Sequence, residues 1–206
     1  MSASISIPGR VVIFDYGEVI SRSPSADDTA ALHALAGGQP AFWESYWRHR
    51  DDLDGGKVSV PEYWAGIAGD VGAEWSASTV YALWVIDFRS WFSVEPGTID
   101  LIAALFEGGT RIALLSNAGF DFAGPFRFSP MGRYFERMFV SAEMDNVKPD
   151  PAIYREVADE LGITLDQMVF IDNKKINTDA AAELGVTVHH FVGVAGLDAF
   201  LHSLAL

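Results

Sequence analysis

Two carboxylates, a hydroxyl and an amine stand at the ends of apolar runs in this chain: Asp15, Asp172, Ser116 and Lys148. The run Val11-Val12-Ile13-Phe14 is apolar and rich in β-branched residues, as a strand buried on both faces of a parallel sheet should be. It ends abruptly in Asp15, and Gly17 two positions on allows the tight turn that presents the carboxylate at the strand tip. Arg111–Leu115 runs straight into Ser116, and Met168–Ile171 runs into Asp172. The short strand Arg137–Val140 leads through Ser141–Val147 to Lys148. In a parallel sheet all carboxyl ends lie on one edge, where open α/β sheets bind ligands. Two carboxylates there suit a hard cation, and Mg²⁺ takes carboxylates together with water and phosphate oxygens. A Lys amine and a Ser hydroxyl donate to phosphoryl oxygens. Nucleophile, cation and donors together fit phosphoryl transfer, in which positioning and charge neutralisation do most of the catalysis. Singly, each residue has a plainer reading: a solvated Asp, a turn Ser, a loop Lys. Their joint placement is what points to chemistry.

The elements that position them alternate. A polar, Pro-containing stretch, Ser21–Asp28, follows the first strand. Helical patterns then follow one another to about Trp91. The first is capped by Asp27 or Asp28 and runs to Gly37-Gly38, and the second spans Pro40–Asp52. The third opens at Val60-Pro61-Glu62, and the fourth runs from Ser76. Five of the six Trp residues lie between Trp43 and Trp84 and the sixth is Trp91, which suggests a core of its own. From Pro96 the texture returns to helix and strand in turn. Thr98–Phe106 reads as a helix, and Phe120–Tyr134 as aromatic and partly irregular. Asp150-Pro151 starts a helix to Leu161-Gly162, Asn177–Gly185 is another, and Thr187–Phe191 is a last strand before a short helix at Leu197–Leu204. Alternation of this kind makes a Rossmann-like parallel sheet with right-handed crossovers. The helical block is far longer than a crossover needs. The expected plan is therefore an α/β core, residues 1–20 and 96–206, with an all-helical cap, residues 21–95, inserted after the first strand.

Composition narrows the function classes. At 206 residues, half of them apolar, the chain supports one good core with a small insert. A net charge of −14, with basic residues scattered, argues against a nucleic-acid partner but not against a small phosphorylated metabolite. No apolar run has the length of a membrane span, and Met1–Arg10 lacks the form of a signal peptide. With no Cys there is no disulfide framework and no thiolate chemistry, so a cytoplasmic protein is the expectation. The five His residues show no metal-ligand spacing.

At this point the sequence resembles the haloacid dehalogenase superfamily. The resemblance rests on Phe14-Asp15-Tyr16-Gly17-Glu18-Val19, Leu115-Ser116-Asn117, Val147-Lys148-Pro149-Asp150-Pro151 and Phe170-Ile171-Asp172-Asn173, in that order and at strand ends. It implies an Asp15 nucleophile that forms an aspartyl-phosphate intermediate. It also implies Mg²⁺ held by Asp15, the Gly17 backbone carbonyl and Asp172. Ser116 and Lys148 would hold phosphoryl oxygens, with help from the Asn117 side chain or nearby amides. Two departures stand out. Most phosphatases of the family carry Asp, as general acid, where this chain has Gly17, and a second Asp is common where it has Asn173. The Asp-x-Gly-x-Val form resembles sugar-phosphate phosphatases of the glucose-1-phosphate type. Glu18 is expected to point away from the site, one step along an extended chain. Arg48, Arg50 and Arg89 are the cap residues either to reach the substrate or to pair with Asp51, Asp52 and Asp87, and the Trp and Tyr residues are expected in the cap core. Two rival readings remain: a metal-free 2-haloacid dehalogenase, which Asp172 opposes, and a catalytically weak relative serving a binding or regulatory role. Oligomeric state is not legible.

Overall fold

A computed structural model describes residues 4–206. Five strands make one all-parallel sheet in the order β3-β2-β1-β4-β5. They are β1 Val11–Phe14, β2 Arg111–Ser116, β3 Arg137–Val140, β4 Met168–Asp172 and β5 Thr187–His190. The first strand is central, with Val11 in register with Arg111 on one side and Met168 on the other. That position explains its unbroken apolar run. Val12 and Phe14 enter the core beneath α5 (Pro96–Glu107), α6 (Phe120–Phe128) and α9 (Val194–Leu204). Val11 and Ile13 enter the opposite core, under α7 (Pro151–Leu161) and α8 (Lys175–Glu183). Both faces are covered, so polar alternation has no place in β1.

Between β1 and α5 lies the helical cap: α1 Ala26–Leu35, α2 Phe42–Asp54, α3 Val60–Val71 and α4 Ala77–Ser90. It has its own core, built on Phe42, Tyr46, Tyr63, Trp64, Ile67 and Leu83. Each such large side chain contributes about 1.5–3 kcal/mol by leaving water. Two connections join it to the sheet, and they pair with each other. Ser21 and Val94 form an antiparallel bridge, and the Glu95 N–H donates to the Ile20 carbonyl at 2.8 Å. The cap therefore stands on a two-stranded stem.

Local details differ from the sequence reading. Ser25, not Asp27 or Asp28, caps α1 by accepting from the Asp28 N–H. A hydroxyl one turn earlier outcompetes the carboxylates, which fall inside the first helical turn. The Phe120–Tyr134 stretch is partly irregular, as expected, but Phe122 and Phe126 bury against the sheet and draw Phe120–Phe128 into a helix despite Pro125. Among the described residues no helix is long and apolar enough to cross a membrane.

Candidate active site

The carboxyl ends of β1, β2 and β4, and the loop after β3, deliver four side chains to one place. Lys148 is the hinge of the arrangement. Its ammonium lies 2.8 Å from Asp15 Oδ1 and 2.8 Å from Asp172 Oδ2, and donates to the Leu115 carbonyl at 2.9 Å. All three side chains are almost wholly buried. Burial pushes the Asp15 carboxyl up to about 6; Lys148 pulls it down, and Asp172 adds to the push. For Lys148 burial opposes the charge, but Asp15 and Asp172 outweigh it and hold the pKa above the usual lysine value. Asp172 is held further by the Lys174 N–H at 2.7 Å and by Asn177 Nδ2 at 2.9 Å. The helix that follows β4 thus orients the carboxylate that ends it.

Asn117 serves Lys148. Its Nδ2 donates to the Lys148 carbonyl and its Oδ1 accepts the Lys148 N–H, both at 2.9 Å. That reciprocal pair fixes the loop after β3 to the end of β2. A phosphate contact from Asn117 would have to come from its backbone. Ser116 is buried at the end of β2 and lines the same cavity as Asp15, with no hydrogen bond from its hydroxyl to another described residue.

The chain after Asp15 is not extended. The N–H groups of Ile20 and Ser21 both return to the Tyr16 carbonyl, closing a tight turn. The positive φ falls on Glu18, at 58°, and not on Gly17. An L-residue holds that conformation at a cost of order 1–2 kcal/mol, and hydrogen bonds on both sides secure it. The Glu18 N–H donates to Ser21 Oγ, Ser23 Oγ donates to one Glu18 oxygen, and Asn173 Nδ2 donates to the other at 2.6 Å. Glu18 therefore lines the cavity, contrary to the extended-chain expectation. A Cβ placed on Gly17 would meet only the Trp91 ring, at an ordinary 3.9 Å. Packing does not require glycine there.

The donor set fits a hard divalent cation. Among the described residues no group of three or more His, Cys, Asp or Glu side chains converges for a metal. What is offered is two carboxylates plus neutral oxygens. The Asn173 Oδ1 is buried beside Asp172 without a hydrogen-bond partner. Such an oxygen costs about 1–3 kcal/mol unless a donor, such as a metal-bound water, reaches it. A magnesium ion, which keeps several waters and uses few carboxylates, suits this set. Asp15, the Gly17 carbonyl and Asp172 would hold it, with Asn173 on its water.

The opposite wall belongs to the cap. The cavity between the two is about 590 Å³, the size of a small-metabolite site. Arg50 on α2 reaches it yet is buried. Its Nε donates to Asp54 Oδ1 at 3.0 Å, and its Nη1 to the Tyr46 hydroxyl at 2.8 Å and to Asp87 Oδ2 at 3.2 Å. Tyr46 in turn donates to Asp87 Oδ1 at 2.6 Å. Arg48 pairs with Glu44 and Asp70, and Arg89 with Asp28, on exposed ground. Of the three arginines only Arg50 meets the site, and it is also paired. Trp64 sits in the cap core and Trp43, Trp75 and Trp84 pack against it, as expected, but Trp43, Trp47 and Trp91 also line the cavity. Sequence reasoning missed Asp54 altogether. The available signal was Tyr46-Arg50-Asp54, three polar-tipped residues four apart on one helix face.

Burial raises the Asp54 carboxyl to about 6 against the opposing pull of Arg50, with Lys174 also lowering it and Asp87 adding to the rise. The raised value means that the folded state disfavours the ion. The contribution of Asp54 to stability is complete below about pH 4 and is lost as pH climbs through about 6. The stability of the wild type minus that of Asp54→Asn should fall by about 2 kcal/mol from pH 4 to pH 7. Urea titrations of both proteins across that range measure it; a flat or rising difference rules the account of Asp54 out.

A family model described as haloacid dehalogenase-like hydrolase matches residues 10–185. Phosphoglycolate phosphatase 1 of Pseudomonas aeruginosa is 28% identical over 186 residues, which is 86% of this chain and 67% of the relative. A probable phosphoglycolate phosphatase of Pseudomonas putida is 32% identical over 94 residues, 45% of this chain and only 38% of the relative's length. Among solved structures, the HAD family enzyme bt-2542 of Bacteroides thetaiotaomicron, in complex with magnesium and inorganic phosphate, superposes with a TM-score of 0.69. Identity is 23%, with coverage of 87% of this chain and 92% of that one. An L-2-haloacid dehalogenase from Xanthobacter autotrophicus, with chloropropionic acid covalently bound, gives a TM-score of 0.64 at 18% identity, covering 94% of this chain and 82% of that one. At such identities the structural likeness speaks for the fold.

Proposed function

The chain belongs to the haloacid dehalogenase-like hydrolases, and from that premise we propose that it is a Mg²⁺-dependent phosphatase of a small phosphorylated metabolite, with Asp15 as nucleophile. The observation that carries this reading is the charge balance around Lys148. One ammonium stands between two buried carboxylates, so the site is net negative before a substrate arrives. A phosphate dianion enters such a site only with further positive charge. The partnerless Asn173 oxygen next to Asp172 supports a hydrated cation there. The carboxylate of Asp172 at the end of β4 favours this reading over a metal-free dehalogenase.

In the proposed reaction an Asp15 carboxylate oxygen attacks phosphorus, the bond from phosphorus to the leaving oxygen breaks, and the leaving group takes a proton from water. Water then attacks phosphorus, the bond to Asp15 breaks, and inorganic phosphate departs with the carboxylate restored. Lys148 steadies Asp15 between the two steps, and Ser116 offers its free hydroxyl to a phosphoryl oxygen. Magnesium, when bound, neutralises charge on the phosphoryl group and aligns it with the carboxylate. Asn117 acts by holding Lys148 in register.

No side chain at position 17 is available to protonate the leaving oxygen, a contribution of roughly 10²–10⁴-fold elsewhere. Substrates whose leaving group is stable as an anion should be favoured: aryl, acyl and anomeric phosphates, the last in keeping with the sugar-phosphate branch that the first motif resembles. Gly17→Asp tests this, since a Cβ there meets only the Trp91 ring, in ordinary contact. It should raise kcat/KM on alkyl phosphates by about 10-fold or more relative to aryl phosphates. An unchanged ratio in a folded variant would defeat the missing-acid argument. The function itself is tested by phosphate release from an aryl phosphate, glucose 1-phosphate and glucose 6-phosphate, with and without Mg²⁺. Metal-dependent release is expected; halide release from a 2-haloacid without metal would establish the rival.

A further inference from the structure

The cap wall of the cavity is built to receive hydroxyl groups and to refuse a second anion. Six carboxylates line the cavity against three cations, Arg50, Lys148 and Lys174. Lys148 is spent on Asp15 and Asp172. Arg50, among the described residues the only cation buried on the cap side, is matched by two carboxylates within 3.2 Å, Asp54 and Asp87. Tyr46 locks that pairing, donating to Asp87 and accepting from Arg50. Lys174 forms no ion pair among the described residues, but it is exposed at the mouth, where solvent screens it, and part of its field falls on Asp54.

One acceptor in the cluster is uncommitted. Asp54 Oδ1 takes the Arg50 Nε–H, while no hydrogen bond reaches Oδ2 from any described residue. The side chain is close to nine-tenths buried and faces the cavity. Its position is also fixed, because Ser141 Oγ in the core donates to the Asp54 backbone carbonyl at 2.5 Å. A carboxylate oxygen so placed accepts from a hydroxyl and repels a carboxylate.

We propose that Asp54, set by Arg50, Tyr46 and Asp87, determines specificity for phosphate esters whose leaving group is neutral and carries a hydroxyl, at the expense of carboxylated esters such as phosphoglycolate. This rests on the phosphatase reading above. It also separates this chain from the activity in the names of its phosphoglycolate phosphatase relatives, because a site for that substrate would offer its carboxylate a buried cation not already matched by carboxylates.

The test uses two esters that differ only at the far end, 2-hydroxyethyl phosphate and phosphoglycolate, with an aryl phosphate as control. The full-length protein in Mg²⁺ should turn over the hydroxyethyl ester with a kcat/KM at least ~10-fold above phosphoglycolate, the cost of one unmatched like charge. Asp54→Asn and Asp87→Asn each uncover Arg50 and should shrink that ratio by ~10-fold or invert it. The wild-type ratio stands even if one variant fails to fold. Preference for phosphoglycolate in the wild type, or ratios unmoved in both folded variants, would overturn the proposal while leaving the phosphatase intact. No hydrolysis of the aryl phosphate would bring down the phosphatase reading, and this inference with it.

Discussion

Replacing Asp15 by Asn should abolish phosphate release, by ~10⁴-fold or more, and leave the fold intact. The amide keeps the shape of the side chain and can still accept the Tyr16 N–H that now reaches Asp15 Oδ1 at 2.7 Å. Lys148 keeps Asp172 as its partner. What disappears is a nucleophile and a buried charge that the fold disfavours, as the upward push on Asp15 records. Thermal or urea stability without metal should therefore be unchanged or higher while turnover is lost. A variant that retains activity within ~10-fold would remove Asp15 from the chemistry.

The second large effect is expected at Lys148. Lys148→Met matches the length of the aliphatic stem but leaves the buried Asp15 and Asp172 facing each other without a cation. Breaking a buried ion pair by removing one partner costs roughly 3–5 kcal/mol. The loss should be largest without metal and at neutral pH, where both carboxylates would have to be charged. It should ease on acidification, as one carboxylate takes up a proton. Added Mg²⁺ should raise the melting temperature of the variant more than that of the wild type, because the ion replaces the missing charge. Turnover should fall by ~10³-fold even with saturating metal, since the phosphoryl group loses a fixed cation. Calorimetry in EDTA and in Mg²⁺ reads the stability arm. Equal stability of variant and wild type in EDTA would show that Lys148 does not neutralise the pair.

The sheet was legible because its chemistry is written at strand ends. Val11–Phe14 and Met168–Ile171 are unbroken apolar runs closed by a carboxylate, and only a strand covered on both faces accounts for that pattern. The helical insert was legible from its length and its aromatic stripes. The turn after Asp15 was not, because alternation along a strand says nothing once hydrogen bonds to Tyr16 curl the chain. Glu18 thereby moved from the far side to the cavity wall. Asn117 and Lys148 are 31 positions apart, so their reciprocal hydrogen bonds leave no local signature. The pairing of Arg50 with Asp87 across 37 positions is hidden in the same way. Asp54 lies two residues beyond the Pro40–Asp52 helix read from the sequence, as the last residue of α2. Ser141 fixes its backbone carbonyl and Arg50, one turn back, holds its side chain at the cavity wall.

The most direct measurement is a search for the covalent intermediate. The protein is acid-quenched during turnover of an aryl phosphate in Mg²⁺, digested, and mapped by mass spectrometry. A phosphoryl group on the peptide that carries Asp15, absent from Asp15→Asn and from samples without Mg²⁺, is the expected result. Rapid phosphate release with that peptide unmodified throughout, or with the label on another residue, would contradict the central claim.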